Sequence, residues 1–302
     1  MTMFPDYKAY LQNEDRSDLT IKVYVADVET FASWFENQNQ EVLELARVTP
    51  SDLRSYRQYL QETLRHKAST VNRKLASLAS WLHWAVETEQ ITSNPMEKVK
   101  YISRVRQVPK WLDKNQQYAL QRAMEKDLQL AKLRYPKRWL TRRRDVSLVT
   151  FMLHTGLRLS ETAALTLDDI KMSDRSGEVL VRQGKGNKER VVPLKADTRE
   201  ALREWLKVRP QSADNHLWLT TEVEENDMLT PRAFQRILKR YGQDAGIANL
   251  TPHVLRHTFA KNLADKKVGV EIIARLLGHN NLSTTQIYIQ PGQTDLQKAM
   301  ED

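Results

Sequence analysis

The sequence predicts a mainly α fold with a small β-sheet (α+β), split into an N-terminal helical bundle and a larger C-terminal domain. Three observations lead there. Threonine followed by proline, a pairing that caps and opens helices, recurs at Thr49-Pro50, Thr230-Pro231 and Thr251-Pro252. Apolar residues between positions 17 and 86 repeat at three- and four-residue steps. Two strand-like runs, 178–183 and 189–194, flank a glycine-rich turn and predict a hairpin.

Composition sets outer bounds. A chain of 302 residues has length for two cores. It holds no cysteine, which removes disulfides, thiolate metal sites and a cysteine nucleophile. No apolar run is long enough to span a membrane, and the opening MTMFPDYKAY lacks the basic and apolar regions of a signal peptide, so a cytoplasmic protein is expected. The net charge of +9 suits a polyanionic partner. Residues 1–46 carry 3 Lys/Arg against 9 Asp/Glu, residues 47–106 carry 11 against 5, and residues 107–302 carry 33 against 24. The acidic opening should face away from a polyanion and the basic part begin near Arg47, although solvated faces of mixed sign give the same totals.

In chain order, Ile21, Tyr24, Val25, Val28, Phe31, Ala32 and Phe35 mark one buried stripe on a helix from Ser17 to about Gln38. Thr49 opens a second, with Leu53, Tyr56, Leu60 and Leu64 inward. Ser69 is the expected cap of a third, which turns Val71, Leu75, Leu78, Leu82, Ala85 and Val86 inward and leaves Asn72, Arg73 and Lys74 for phosphates. Trp81 and Trp84 share its helical spacing and read as core. Three or four such helices make a small bundle over residues 1–94. Residues 95–110, basic and interrupted by prolines, read as a linker, which leaves 111–302 as the second domain. Asp113 and Gln116 form a capping box at its start, and Leu148, Phe151 and Met152 mark the next helix, ending at Gly156. Between them Lys137, Arg138, Arg142, Arg143 and Arg144 are candidate DNA-phosphate contacts, with a solvated basic surface as the alternative. At the hairpin tip Gly184 and Gly186 permit close approach, Lys185 supplies an ammonium on a flexible stem, and the glycine spacing is wrong for a Walker loop. Thr230 opens a helix expected to end near Gly242.

The densest chemistry lies between Thr251 and Tyr288. Thr251-Pro252 opens a helix running to about Lys266-Lys267, which puts His253 and Arg256 on one face of its first turn. A guanidinium beside an imidazole at a helix N-terminus suits a phosphate and the charge that develops on it. Gly278 reads as a C′ glycine, His279 follows, and Ser283 is the expected cap of a last turn carrying Tyr288, whose hydroxyl is a candidate nucleophile. Upstream, Arg158 has Glu161 one helical turn away, where a carboxylate can fix a guanidinium; alone the pair is an ordinary salt bridge. His253 and His257 have the spacing of two zinc ligands, but Val254 stands where HExxH has its glutamate, so no metal is assigned and His257 reads as structural. His154 receives no role.

The ordered set resembles the tyrosine recombinases, the phage integrase and Xer family. The resemblance rests on TGLRLSETAALTLDDI around Arg158 and Glu161, GKGNKERVVPL around Lys185, His253-x-x-Arg256, His279 after a Leu-Gly pair, and Tyr288. It is strong from Pro109 onward and looser before it, and it identifies 1–94 as a helical core-binding (SAM-like) DNA-binding domain and 111–302 as a catalytic domain. It implies that Tyr288 attacks a DNA phosphodiester, giving a 3′-phosphotyrosine and a free 5′-hydroxyl. Arg158 and Arg256 would hold the nonbridging oxygens, with Glu161 in support. Lys185 would protonate the leaving 5′-oxygen, His253 would assist proton transfer at the tyrosine, and His279 would hydrogen-bond the phosphate. Implied partners are a double-stranded DNA core site and a homotetramer on two synapsed sites, reached through a Holliday junction, with accessory proteins or a second recombinase as additions. No cofactor, metal or ATP is implied. The bundle begins near Met1, leaving no arm-binding domain, which fits dimer resolution, transposon resolution or integration at a simple core site. The tail from Thr294 is expected to form a short helix that docks on its own domain's surface or, as the resemblance implies, on a neighbouring protomer. A type IB topoisomerase and a non-catalytic DNA-binding protein are the alternatives.

Overall fold

The caps read from the sequence do open helices. In the computed structural model, which describes residues 5–103, 109–182, 189–221, 227–279 and 282–288, Ser17 Oγ accepts from Thr20 N, and Thr49 and Asp52 cap each other reciprocally. The chain divides into two units, residues 1–107 and 108–302.

The first unit packs α1 (Pro5–Asn13), α2 (Asp18–Asn39), α3 (Pro50–Gln58) and α4 (Ala68–Glu87). Phe31, Tyr56, Leu60, Leu75, Leu78, Trp81 and Leu82 are buried in its centre, and Phe31 meets Tyr56 edge-on with centroids 5.1 Å apart. Trp84 is buried as well, so both tryptophans serve the core. Three details differ from expectation. Leu64, expected inward, is 42% exposed, because α3 stops at Gln58 and Leu64 ends the turn that follows. The first residue of α4 is Ala68, with Lys67 rather than Ser69 at the cap. The stretch expected as linker also begins inside this unit: Met96 and Val99 are buried in its core, and Asn72 clasps Ile102 with Nδ2 to the carbonyl at 2.8 Å and Oδ1 from the amide at 2.9 Å. An exposed polar count cannot reveal two apolar anchors spaced among lysines.

The second unit contains α5 (Lys114–Arg134), α6 (Pro136–Thr155), α7 (Leu159–Ala163), α8 (Ala196–Leu206), α9 (Pro231–Asp244), α10 (Pro252–Asp265), α11 (Val270–Leu277) and α12 (Ser283–Gln286). The Asp113–Gln116 capping box is present. Its antiparallel sheet has the order β1 (Ile170–Met172), β2 (Gly177–Val181), β3 (Arg190–Pro193), with Val179 opposite both Ile170 and Val192. The hairpin is therefore real, and β1 adds a strand too short for alternation to show. Its tip, 183–188 with Lys185, lies outside the described residues. Phe151, Trp205, Trp218, Phe234 and Tyr241 fill the core beneath. Among the described residues no helix is long and apolar enough to cross a membrane.

Candidate active site

The site is assembled on the C-terminal end of α11. The last carbonyls of a helix have no partner within it, and three consecutive ones here each accept a hydrogen bond from a different arginine. Arg190 Nε reaches Leu276 O at 2.9 Å, Arg256 Nη2 reaches Leu277 O at 2.8 Å, and Arg158 Nη2 reaches Gly278 O at 2.9 Å. Gly278 makes this end possible, because it closes the helix in the left-handed region at φ 66°.

Arg256 lies on the first turn of α10, behind the Thr251 cap, and its other terminal nitrogen holds Gly156 O at 2.8 Å. It is buried, which pulls its pKa down, with the nearby Arg158 charge adding to the effect, to about 10; it remains a cation at neutral pH. Arg158 stands at the start of α7 with its side chain 40% exposed, so this guanidinium still faces solvent. Its Nη1 contacts Glu161 Oε1 at 2.7 Å, and its backbone amide contacts Oε2, also at 2.7 Å. Burial pushes the Glu161 carboxyl up, but hydrogen bonds from Arg190 and from the Arg158 amide outweigh it and hold the pKa at about 2. Arg158, Glu161, Arg256 and the end of α11 are thus brought together as the sequence pattern requires.

His279 follows Gly278, with Nδ1 2.8 Å from Thr285 Oγ1. Burial, then the charges of Arg256 and Arg158, lower its pKa to about 4, so the ring is neutral at pH 7. Tyr288 ends the α12 turn, which starts at Ser283 itself with Leu282 in the cap position, not at a Ser283 cap. The tyrosine is 3% exposed and packs with Phe259, Ala260, Ile273 and Leu277. Its hydroxyl makes a hydrogen bond with His257 Nδ1, the residue assigned only a structural place by the sequence. His253, expected at the tyrosine, is exposed on the first turn of α10 and stacks near His257 with centroids 6.3 Å apart. Its spacing from His257 did show that the two share a face; that the second of them reaches position 288 is visible only in three dimensions.

Of the DNA-phosphate candidates outside this centre, Arg73, Lys74, Arg142, Arg143 and Arg144 all have partners within the chain. Lys74 Nζ binds the buried Asp27 at 3.0 Å, Arg73 pairs with the same carboxylate, and Asn72 is the clasp described above. Arg144 is buried on Asp145 and Leu219 O, Arg142 lies against Asp127, and Arg143 faces Glu204 beside the Trp139 ring. A buried carboxylate needs a cation: Lys74 and Arg73 supply it to Asp27, although the Arg73 side chain stays 42% exposed, and Arg144 supplies it to Asp145. Further exposed cations lie on α9, which presents Arg232, Arg236 and Lys239, with Gln235, to solvent; Gln235 and Lys239 line a groove with Thr251, Pro252 and His253.

Residues 110–294 match the model of the phage integrase family, and residues 4–89 match its N-terminal SAM-like domain. Tyrosine recombinase XerA of Thermococcus kodakarensis is 42% identical over 53% of this chain; that match spans about half of the relative, 56%. The TnP I resolvase of Bacillus thuringiensis is 26% identical over 100% of this chain and 99% of its own. Among solved structures, XerH site-specific recombinase bound to difH substrate in a pre-cleavage complex shares the fold, with a TM-score of 0.72 and 22% identity over 93% of this chain and 79% of that one.

Proposed function

The chain belongs to the phage integrase family of tyrosine recombinases, which cleave and rejoin DNA strands, and we propose from that premise a site-specific recombinase whose nucleophile is Tyr288. The observation that carries the assignment of residues is the convergence of Arg158, Arg256 and His279 on the end of α11, next to the turn that bears Tyr288.

In the proposed reaction Tyr288 Oη attacks a phosphodiester, forms a 3′-phosphotyrosine and releases a 5′-hydroxyl. Arg256, held rigidly by two carbonyls, and the more exposed Arg158 neutralise the nonbridging oxygens. With Thr285 donating to Nδ1, His279 carries its proton on Nε2 and can donate it in a hydrogen bond to the phosphate; His253, exposed beside the α9 groove, can do the same from the other side. Lys185 is assigned to protonate the 5′-oxygen, as the family resemblance implies. Attack by a second 5′-hydroxyl reseals the strand, so each step exchanges one phosphoester for another and needs no ATP, cofactor or metal.

Residues 1–94 and 111–302 act as core-binding and catalytic domains in this reading, on a double-stranded core site. Exchange passes through a Holliday junction in a tetramer on two sites, with accessory proteins or a second recombinase as additions. The exposed face of α9 is favoured over Arg142–Arg144 for backbone contact. Among dimer resolution, transposon resolution and integration, transposon resolution is supported by the end-to-end match with the TnP I resolvase. A cytoplasmic location follows from a DNA substrate.

The test is direct. The protein is incubated with sheared DNA of the source genome, covalent complexes are isolated, and the junctions are sequenced and digested for mass spectrometry. A 3′-phosphate on Tyr288 at a recurring sequence is expected. An adduct that persists in Tyr288→Phe would refute the nucleophile.

A further inference from the structure

The family pattern absorbs His253, His279 and Tyr288, yet it leaves over a side chain that touches the tyrosine hydroxyl. His257 lies on α10, one residue after Arg256 and one turn after His253. Its ring meets the Tyr288 ring with centroids 5.5 Å apart and a 42° tilt, and Nδ1 is hydrogen-bonded to Tyr288 Oη. Among the described residues this is the hydroxyl's hydrogen-bond partner, which puts Nδ1 where it can receive the phenol proton. Resting on the function proposed above, we propose that His257 is a further catalytic residue: it orients the nucleophile and takes the proton from Tyr288 Oη as the hydroxyl attacks the phosphate.

The surroundings keep His257 neutral at rest but weaken it as a base, so the step draws on the negative charge of the bound phosphate, which raises the basicity of the ring as the site fills. His257 is pushed down to about 4, first by burial and then by the field of His253 and Arg256, so at neutral pH the ring is uncharged and has a free lone pair. A phenol is the stronger acid of the two, so the hydrogen bond runs from Tyr288 Oη to Nδ1, with the ring proton on Nε2. Burial alone raises the Tyr288 pKa, and Arg256 counters it only in part, so the hydroxyl is protonated in the resting enzyme and must lose that proton as it reacts. The groups facing the pair are His253 and Arg256 from α10 and His279 beyond α11; of these Arg256 is already bound to two carbonyls, and His279 to Thr285.

The step balances. The Oη–phosphorus bond forms, the phosphorus–5′-oxygen bond breaks, the tyrosine proton moves to His257 Nδ1, and the 5′-oxygen takes its proton from the assigned Lys185. When a new 5′-hydroxyl attacks the phosphotyrosine, the imidazolium returns its proton to Oη as tyrosine leaves, and Lys185 is reprotonated. One histidine therefore serves cleavage as base and resealing as acid.

The experiment uses the full chain and a nicked duplex carrying the site mapped above, with adduct formation followed in single turnover. His257→Ala should slow the adduct by about 100-fold or more while DNA affinity is kept, as loss of a general base does. Added imidazole should restore part of that rate. His257→Asn places an amide near the position of Nδ1, able to hold the hydroxyl but not to take its proton; it should be as slow as the alanine variant, and it also serves if alanine fails to fold. Wild-type rates in either variant would overturn the proposal. So would an asparagine variant that is fast where alanine is slow and deaf to imidazole, since His257 would then only orient the tyrosine. If the wild-type protein forms no adduct at Tyr288, the functional reading itself fails and the proposal goes with it, an outcome distinct from an active enzyme that is indifferent to residue 257.

Discussion

Arg190 grips Glu161 with both terminal nitrogens, at 3.1 and 2.7 Å, and both side chains are buried. Because the same carboxylate holds Arg158, and Arg190 Nε holds Leu276 O, one arginine on β3 ties α7 to the end of α11 and sets the exposed guanidinium without facing it. Arg190→Ala would leave Glu161 buried and half-paired, at a cost of about 3–5 kcal/mol. Arg190→Lys should lose less stability, yet still slow the adduct, because an ammonium cannot reproduce the two-pronged contact. Urea unfolding and single-turnover cleavage on the same three proteins check this; equal cleavage by Lys and Arg would show that charge alone suffices.

Gly156 is the second support. It closes α6 at φ 64°, its carbonyl receives Arg256, and an added Cβ would sit 2.4 Å from Phe259 Cδ1. Gly156→Ala combines a left-handed backbone with overpacking, for a loss of roughly 2–4 kcal/mol. Phe259 also packs on Tyr288, so cleavage should fall by more than DNA binding does. Thermal unfolding together with a gel-shift titration would measure both.

Acid should loosen this unit early. His154, His257 and His279 all sit at about 4 in the folded chain, mainly through burial, against an ordinary 6.5. Folded pKa values below the unfolded ones mean that the unfolded chain binds more protons, so stability is full above 6.5 and is lost as pH falls from there to about 4. The Glu161 pairing is lost in the same direction below 4.5, down to about 2. Urea midpoints of the second unit measured at pH 7.5, 6 and 5 should therefore decline steadily. A midpoint constant across that range would mean the rings are not buried as neutral species.

The helices and the reactive residues were legible because their signals are local. A threonine and proline at Thr251-Pro252 open α10, and His253 and Arg256 are three apart on it, so the sequence places them on one face without further help. What escaped is made by partners distant in the chain. Arg190 lies 29 residues from Glu161 and 86 from Leu276, and nothing in RVVP distinguishes a buried strand arginine from an exposed one. Thr285 and His257 are ordinary until the fold brings each to a catalytic side chain. The partners of Arg142, Arg143 and Arg144 were hidden for the same reason: the carboxylates at Asp127 and Glu204 lie on other helices, while Asp145 is an immediate neighbour of the run.

The runs on α6 and α9 can be told apart by experiment. Arg144→Ala should unfold at lower urea, because Asp145 loses a buried partner, while the salt dependence of DNA binding stays as it was. Arg236→Ala and Lys239→Ala, on the exposed face of α9, should leave stability within about 0.5 kcal/mol of the parent. Each should flatten the slope of log affinity against log salt by about one unit if it meets a phosphate. The reverse pattern would restore the run on α6 as the DNA contact.

The last prediction concerns Thr285, which has no exposure at all and whose hydroxyl is 2.8 Å from His279 Nδ1. The role proposed for His279 requires the Nε2–H tautomer, which donation from the threonine hydroxyl to Nδ1 would select. Thr285→Val keeps the volume and the backbone hydrogen bond that Tyr288 N makes to residue 285, and removes only the hydroxyl. Losing one orienting hydrogen bond of roughly 1 kcal/mol corresponds to about a five-fold slower cleavage step. Thr285→Ser should recover the rate, since it restores the donor but not the methyl group, whereas a role in packing alone would leave the serine variant the worse of the two. Single-turnover rates for the valine and serine variants at pH 7, with DNA affinity measured in parallel, separate these outcomes.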